Sequence, residues 1–285
     1  MHFLVTGCSS GLGLSLARAI APLPEHKLTA TSRNPASTPA AVKEITSHQN
    51  ASWEPLDVSS PDLEAQFSNI VCKHGPIDVL INNAGFSIGG VLENTPLDLI
   101  RSQYETNVFG AIRAMQAVIP HMRSSGTGGV IVNISSATFW MTPPGVSVYA
   151  STKFALEGLS AALASELAPF GIRVLIAQPG GMRTAFAGPE KAGKYLVPLP
   201  EGYKGSPAEF VREFVESDQG KDTDPEKAAR AIVDEVLVPT VVEGKMVLRV
   251  QLGSEVAGAL KGAVEAITVE GGAVQDKAAG SDLES

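Results

Sequence analysis

The sequence predicts an α/β fold, a single domain built on a doubly wound sheet of about seven parallel strands with helices on both faces. Short apolar runs suited to buried strands alternate with segments that are apolar at helical spacing, without a repeat or long linker up to residue 184. Five apolar runs end in polar or glycine-bearing clusters. Because ligands of such sheets bind at the carboxyl ends of the strands, these clusters predict one binding site.

Composition and charge describe one acidic globular domain. The chain has 285 residues, 44% of them hydrophobic, so it can bury one large core without dividing into two domains. Its 30 carboxylates outnumber 22 lysines and arginines, for a net charge of -8. This balance argues against a surface for nucleic acid or for an anionic membrane, and it suits a soluble enzyme.

No segment of the sequence predicts export or membrane insertion. The first apolar stretch is short and has no basic leader, and no run approaches the roughly 18 apolar residues of a spanning helix. The two cysteines, Cys8 and Cys72, lack metal-type spacing. We therefore expect a cytoplasmic protein without a metal site.

The first strand, residues 2–6, leads into the glycine-rich stretch TGCSSGLG and then into a helix, LSLARAIA. Gly7, Gly11 and Gly13 would let the backbone approach a pyrophosphate, whose charge rests on the helix N-terminus. The spacing is GxxxGxG, not the commoner GxGxxG. The stretch predicts a dinucleotide site, and the alternative is a plain strand-to-helix turn.

The second strand, KLTATSRN, indicates which dinucleotide is bound. It ends without the acidic residue that would bind a ribose 2′-hydroxyl, and it offers Arg33 in the following loop. A guanidinium suits a 2′-phosphate, so the sequence favours NADP over NAD. Ser9 or Ser10 could add a hydroxyl to the same phosphate, as could Thr31 or Ser32. The alternative for Arg33 is a solvated loop charge.

Three later strands also end in polar or turn-forming residues. IDVLI leads into NNAG at residues 82–85, and VIVNISS ends with Ser136. QPGGMRT contains Pro179, Gly180 and Thr184. Clusters at so many strand ends are hard to explain as turns alone, so we expect them to contact a ligand.

The next helix, SVYASTKFALEGLSAALASEL, carries Tyr149 and Lys153 one turn apart on one face. The cation and the nearby helix N-terminus would both favour the phenolate and lower the pKa of the phenol from about 10. The pair predicts a general acid and base. Taken alone it could equally be a chance pair on a solvated face.

In combination these motifs resemble the short-chain dehydrogenase/reductase family, in its hydroxysteroid-dehydrogenase-like subgroup. The resemblance rests on TGCSSGLG, LDV at residues 56–58, NNAG, NVFG, ISS before YASTK, and PGGMRT, and it runs to about residue 184. It implies a Rossmann-type domain and a catalytic tetrad of Asn107, Ser136, Tyr149 and Lys153. Ser136 is preferred over Ser135 because the family's serine usually stands thirteen residues before the tyrosine.

The resemblance also implies roles for the tetrad in hydride transfer. Tyr149 would pass a proton and Ser136 would hydrogen-bond the substrate oxygen. Lys153 would lower the phenol pKa and bind the nicotinamide ribose, and Asn107 would hold a water that links Lys153 to solvent. The alternatives are a helix-packing amide for Asn107 and a strand-end cap for Ser136.

Motifs and resemblance together assign the cofactor contacts, with Asp57 at the adenine and Thr184 near the nicotinamide carboxamide. The predicted contacts are Gly7, Ser9, Ser10, Gly11, Leu12, Gly13, Arg33, Asp57, Val58, Asn83, Ala84, Gly85, Tyr149, Lys153, Pro179, Gly180 and Thr184.

A stretch rich in proline, glycine and aromatic residues, 185–222, interrupts the pattern and predicts a substrate lid. With Phe139, Trp140 and Phe186 it predicts a roomy pocket for a lipophilic carbonyl. The alternative is that these aromatics only pack the lid against the sheet.

We expect the family domain to span residues 1–253, with its last strand at 248–252. Residues 254–285 would then form a C-terminal helix and a disordered tail after Gly271. That helix packs either on the domain or on another subunit, so a homo-oligomer stays open.

The sequence therefore predicts an NADP-dependent ketone reductase or alcohol dehydrogenase. One alternative is a catalytically silent NADP-binding sensor or scaffold, which would need none of the tetrad. Another is a methyltransferase that binds its adenosyl donor at the glycine loop, which leaves the tyrosine, the lysine and Arg33 unexplained. Substrate, direction and stereochemistry cannot be read from the sequence.

Overall fold

The structure is a computed structural model that describes residues 1–182, 184, 195–210 and 221–273. Its main sheet has seven strands, all parallel, in the order β3-β2-β1-β4-β5-β6-β9. They are β1 (His2–Val5), β2 (Lys27–Ser32), β3 (Ala51–Pro55), β4 (Val79–Asn82), β5 (Gly129–Ile134), β6 (Ile172–Pro179) and β9 (Arg249–Leu252). The predicted doubly wound parallel sheet is confirmed.

Helices connect these strands and cover both faces of the sheet. They are α1 (Gly11–Ile20), α2 (Pro39–Thr46), α3 (Leu63–His74), α4 (Leu97–Tyr104), α5 (Gly110–Ser125), α6 (Ser147–Leu167), α7 (Pro225–Leu237) and α8 (Ser254–Ala273). A π-helical turn, Glu105–Phe109, joins α4 to α5. A small antiparallel hairpin, β7 (Val241–Val242) with β8 (Lys245–Met246), lies outside the main sheet.

The inner strands β2, β1, β4, β5 and β6 bury both of their faces, which is why most of them read as nearly continuous apolar runs, whereas the edge strands β3 and β9 are only partly buried. Phe3 and Val5 of β1 pack with α1, α2 and α7 on one side. Leu4, between them, packs with α3, α5 and α6 on the other. Successive side chains of a strand point to opposite faces, so one short apolar run serves two cores.

The strand order reverses between β1 and β4, and this reversal opens a crevice at the carboxyl edge of the sheet. β1 leads into the glycine-rich stretch and β4 leads into NNAG, so both motifs border the crevice. The predicted gathering of polar strand ends therefore follows from the topology.

The C-terminal part begins with helix α8. Helix α8 starts directly after β9, and Val256 in its first turn is fully buried. Further along, Val264, Ile267 and Val269 are exposed. The domain boundary at residue 253 stays a prediction, and the tail after residue 273 lies outside the described residues.

Among the described helices, none has both the length and the apolar character to cross a membrane. The expected cellular location and the homo-oligomer stay predictions.

Candidate active site

The glycine-rich loop after β1 is fitted tightly against the NNAG segment. A Cβ at Gly7 would lie 2.9 Å from the Cα of Ala84, and one at Gly13 would collide with the carbonyl oxygen of Gly7. Asn83 Nδ2 donates to the carbonyl oxygen of Thr6 at 2.8 Å, and Thr6 Oγ1 accepts from the backbone N–H groups of Asn83 and Ala84, each at 3.0 Å. The loop is therefore a cradle that only small residues can form.

The same loop presents a helix N-terminus to a ligand. Gly7 and Gly11 have φ values of 75° and 60°, in the left-handed region that favours glycine. Ser10 caps α1 without a side-chain cap bond, and no acidic residue lies in the first turn. The N–H groups of that turn are thus suited to an anion such as a pyrophosphate. Leu12 faces the core instead, where it is buried.

Replacing Gly13 with alanine is expected to weaken dinucleotide binding and to lower the free energy of unfolding by about 2 kcal/mol. The added Cβ would meet the Gly7 carbonyl and the Asn83 amide, so the cradle has to open. Thermal unfolding and a dinucleotide titration measure both effects. Gly258→Ala is the control: a Cβ there meets nothing within 4 Å on α8, so stability should rise by about 0.5–1 kcal/mol. Equal behaviour of the two variants would refute the cradle.

Beside the loop lies an open depression of about 360 Å³. Its lining residues are Ser9, Ser32, Arg33, Asn34 and Ser37, none of them acidic. Thr31 is excluded from this surface, because its fully buried hydroxyl donates to the carbonyl oxygen of Val5 at 2.9 Å. Ser32 lines the depression and its hydroxyl oxygen accepts from Trp53 Nε1 at 3.0 Å, so its contact with a phosphate stays a prediction. The depression has the charge and the donors that a phosphate needs.

Asp57 and Val58 lie shortly after the third strand, which ends at Pro55, and the sequence predicts an adenine contact here. Asp57 Oδ1 accepts hydrogen bonds from the backbone N–H and hydroxyl of Ser59, at 2.9 and 2.6 Å, and so closes a turn. Val58 is buried against Gly110. A Cβ added at Gly110 would lie 2.9 Å from the Cβ of Val58. These contacts are structural, and the adenine contact stays a prediction.

Tyr149 and Lys153 lie at the start of α6 and are both buried, with exposed fractions of 9% and 6%. Lys153 Nζ lies 5.6 Å from the centroid of the Tyr149 ring and donates to the carbonyl oxygen of Ile134 at 2.8 Å. The Tyr149 hydroxyl is hydrogen-bonded to Ser136, whereas the Ser135 hydroxyl is buried and has no partner among the described residues. The structure thus brings together Ser136, Tyr149 and Lys153.

Burial controls the protonation of this cluster. It raises the pKa of Tyr149 to about 12, although the hydrogen bond with Ser136 acts to lower it. It lowers the pKa of Lys153 to about 8, against the opposing charge of Glu157. The sequence predicted a lowered phenol pKa, and the structure gives the opposite direction because removing the phenolate from water outweighs the local charges. At neutral pH the phenol is therefore a proton donor beside an amine that can titrate.

Asn107 lies in the π-helical turn and binds the loop after NNAG. Its Nδ2 donates to the carbonyl oxygen of Phe86 at 2.9 Å and to Thr152 Oγ1 at 3.1 Å, and its Oδ1 accepts from the N–H of Phe86 at 3.1 Å. Within the described part of the chain, none of its hydrogen bonds goes to Lys153. These bonds are those of a helix-packing amide, and the Asn107 side chain also limits the space at Gly85. The water that would link Lys153 to solvent through Asn107 stays a prediction.

Phe86 is a site residue that the sequence analysis missed. Its ring stacks on that of Tyr195, with centroids 4.5 Å apart and planes at 29°. Gly89 accepts from the N–H of Val197 at 2.8 Å and donates to the carbonyl oxygen of Tyr195 at 3.1 Å, so the described part of the predicted lid packs on this loop. The available signal was an aromatic residue directly after NNAG.

Phe139 and Trp140 are held by contacts within the domain. Trp140 Nε1 donates to Gln178 Oε1 at 2.9 Å, and the Phe139 ring lies 4.6 Å from Trp140 and 4.7 Å from Phe154. These contacts favour the packing alternative for both rings. Their place in the substrate pocket stays a prediction, and Phe186 lies outside the described residues.

The end of β6 meets both the glycine loop and α8. A Cβ at Gly11 would lie 3.3 Å from the Cβ of Thr184, so Thr184 borders the cradle. Gly180, directly after Pro179, is pressed against Glu255 of α8, and an added Cβ there would collide with that carboxylate. Gly180 therefore has a packing role that the sequence analysis did not predict, because it placed α8 outside the domain.

Metal ligands are not grouped in the part of the chain that the structure describes: it contains no set of three His, Cys, Asp or Glu side chains arranged for an ion.

The model of the family described as short chain dehydrogenase matches residues 1–194. Among curated relatives, Oxidoreductase claN of Passalora fulva is 44% identical over 67% of this chain and 87% of its own length. The 3-ketodihydrosphingosine reductase of Bacteroides thetaiotaomicron is 35% identical over 80% of this chain and 81% of its own length.

Solved structures agree with this match. A short-chain dehydrogenase from Streptomyces avermitilis is 31% identical, covers 99% of both chains and has a TM-score of 0.85. Two others are similar in fold alone. An alcohol dehydrogenase of Thermococcus sibiricus, complexed with 5-hydroxy-NADP, is 22% identical, covers 88% of this chain and 95% of its own, and has a TM-score of 0.68. A short chain dehydrogenase/reductase of Burkholderia phymatum, in complex with NAD, is 18% identical, covers 94% of each chain and has a TM-score of 0.78. Both forms of the cofactor therefore occur among proteins of this fold.

Proposed function

The chain belongs to the short chain dehydrogenase family, oxidoreductases that act on CH–OH or carbonyl groups, and from this premise we propose that it transfers a hydride between NADP(H) and the carbonyl or secondary alcohol of a lipophilic small molecule. The observation that supports this most strongly is the buried contact of Ser136, Tyr149 and Lys153 at the edge of the sheet that carries the glycine cradle.

Ser136, Tyr149 and Lys153 each have a separate role in the proposed reaction. The nicotinamide supplies or accepts the hydride. The Ser136 hydroxyl orients the substrate oxygen, and Tyr149, protonated at neutral pH, donates a proton to that oxygen as it gains negative charge. Lys153 places a positive charge beside the phenolate that remains. In the reduction direction the reaction starts from the phenol, which a pKa of about 12 keeps protonated at neutral pH, and in the oxidation direction it starts from the phenolate.

The residues present fit a dinucleotide with a 2′-phosphate. The glycine cradle of Gly7, Gly11 and Gly13 admits a backbone-bound pyrophosphate at the N-terminus of α1. Arg33 and its neighbouring hydroxyls would hold the 2′-phosphate, and no carboxylate lines that depression. NADP is therefore favoured over NAD.

Replacing Arg33 with alanine is expected to weaken NADPH binding by about 10- to 100-fold and to leave NADH binding nearly unchanged, because only NADPH carries the phosphate that the guanidinium pairs with. Fluorescence titrations with both nucleotides measure this. Arg101→Ala, which removes an exposed arginine paired with Asp98 on α4, is the matched control and should change neither affinity. Equal affinity of the unaltered protein for NADPH and NADH would contradict the NADP assignment.

A lipophilic substrate is supported by the aromatic wall that Phe86 and Tyr195 form where the described part of the lid meets the loop after β4. One relative is named as a reductase of a keto compound, 3-ketodihydrosphingosine. A panel of aryl, alicyclic and long-chain ketones with NADPH tests the proposal. Binding of NADPH without turnover of any member of the panel would favour the silent sensor instead.

A further inference from the structure

Trp53 is a core residue that contacts the wall of the depression that Arg33 lines. It stands on β3 opposite Ala30 of β2, and Ser32 lies two residues farther along β2 on the same face of the sheet. From this position Trp53 Nε1 donates a hydrogen bond to Ser32 Oγ at 3.0 Å. Ser32 in turn lines the depression. One hydrogen bond therefore joins a buried ring to the candidate phosphate site.

The core holds the indole of Trp53 in place. Its exposed fraction is 9%, and it packs in the cluster that includes Leu28 and Ala30 of β2. An indole nitrogen donates and cannot accept, and a buried donor left without an acceptor is costly. Ser32 Oγ is the acceptor that satisfies this N–H, so the bond fixes the side on which the serine oxygen receives a proton.

The Ser32 hydroxyl accepts this bond and keeps its own proton. A hydroxyl has one donor and two acceptor positions. Within the described part of the chain, the bond from Trp53 is the one hydrogen bond of Ser32 Oγ, and there the oxygen acts as acceptor. Its proton is therefore available to an acceptor in the depression. A hydroxyl that accepts a hydrogen bond is also a stronger donor, because the two bonds polarise each other.

Ser37, which lines the same depression, differs in this respect. Its hydroxyl donates to the carbonyl oxygen of Asn34 at 2.7 Å, so its proton is already used within the turn. A phosphate dianion accepts hydrogen bonds and donates none, so it needs the proton of a hydroxyl and not its oxygen. Of Ser32 and Ser37, Ser32 is the one whose proton is not committed among the described residues.

We propose that Trp53 is a positioning residue for the 2′-phosphate of NADP: by donating to Ser32 Oγ, it directs the Ser32 proton into the depression, where Arg33 supplies the positive charge. The proposal rests on the proposed function only through the assignment of this depression to the 2′-phosphate. Hydride transfer is not part of it, so binding measurements without a substrate can test it.

The binding test compares adenosine 2′,5′-bisphosphate with adenosine 5′-monophosphate, which lacks the 2′-phosphate, by calorimetric titration. In Trp53→Phe we expect the bisphosphate to bind about 3- to 10-fold more weakly and the monophosphate to bind as before, because only the bisphosphate uses the Ser32 proton. In Ser32→Ala we expect a loss of about 10-fold, again for the bisphosphate alone. Adding Trp53→Phe to Ser32→Ala should cause no further loss, because the indole acts through the hydroxyl.

A second measurement needs no substitution at the site. The chain has two tryptophans, Trp53 and Trp140, so ¹⁵N labelling gives two indole N–H signals, which Trp53→Phe or Trp140→Phe assigns. When Ser32 donates to a phosphate, its oxygen becomes a stronger acceptor, so the Trp53 proton signal should move downfield with the bisphosphate and not with the monophosphate. The Trp140 indole, which donates to Gln178 Oε1 at 2.9 Å, is the internal control and should respond equally to both nucleotides.

Ser37→Ala is the matched control for Ser32→Ala and should leave both affinities close to those of the unaltered protein, because the Ser37 proton stays with Asn34. Four results would each overturn the proposal: an unchanged bisphosphate affinity in Trp53→Phe, equal losses for both nucleotides, a further loss in the double variant, or an unmoved Trp53 signal. If Trp53→Phe does not fold, that signal in the unaltered protein decides.

The outcome for the proposed function is separate. Equal binding of both nucleotides by the unaltered protein would reject the NADP assignment and the role of Trp53 with it. A preference for the bisphosphate that falls in Trp53→Phe, in a protein that turns over no member of the ketone panel, would reject the proposed reaction and support the role of Trp53.

Discussion

Replacing Tyr149 with phenylalanine is expected to lower turnover by about 10²- to 10⁴-fold, because the general acid is removed while the ring remains. NADPH should still bind, since the glycine cradle and the Arg33 depression are untouched. Stability should change by no more than about 1 kcal/mol, the cost of one lost hydrogen bond with Ser136. Steady-state rates with any ketone that the protein reduces, together with an NADPH titration, measure the effect.

Tyr104→Phe is the matched control for this substitution. The Tyr104 hydroxyl also binds a serine of α6, donating to Ser151 Oγ at 2.9 Å, but it lies outside the tetrad. Its loss should leave turnover close to that of the unaltered protein. Full activity of Tyr149→Phe would remove the phenol from the mechanism, and equal losses in both variants would show that the effect comes from packing on α6.

Replacing Lys153 with methionine is expected to abolish turnover and yet to stabilise the protein at pH 7. Burial lowers the pKa of Lys153 from 10.5 to about 8, and each unit corresponds to about 1.4 kcal/mol. The unfolded chain binds more protons than the folded one between these values, so the charged lysine destabilises the fold fully below pH 8. After the loss of its bond to the Ile134 carbonyl, a gain of about 2 kcal/mol should remain.

The pH dependence of this gain identifies its cause. Denaturant unfolding at several pH values should show the gain at pH 7, a decrease as the pH rises above about 8, and little gain near 10.5. Lys245→Met, on the exposed hairpin strand β8, should show no such trend. A methionine variant less stable than the unaltered protein at pH 7 would mean that the ammonium is better solvated than its burial indicates.

The fold was predictable because its signals are local. Strands buried on both faces must be apolar throughout, as Phe3, Leu4 and Val5 show by dividing between the two cores. A parallel sheet in turn fixes which ends meet. The cradle was predictable for a similar reason, since glycine at positions 7 and 13 reflects a backbone approach that any Cβ would block.

The site was predictable in its residue types and less so in their roles. Asn107 lies in the segment that the sequence indicated, but its amide binds Phe86 and Thr152. The aromatic pair of Phe86 and Tyr195 was missed because it joins a loop to the far end of a long insertion. The sequence also assigned Gly180 to the cofactor without its contact with Glu255 on α8.

The sequence by itself determined the alternation of strands and helices along the chain, the glycine cradle, and the spacing that pairs Tyr149 with Lys153. Each of these depends on residues that are close together in the chain. Only the tertiary structure decided how these groups ionise and what supports them. Burial raises the pKa of Tyr149 against the predicted direction. Ser32 accepts its hydrogen bond from Trp53 on another strand, 21 residues away. Desolvation and contacts between distant strands exist only once the sheet has formed, so no local pattern encodes them.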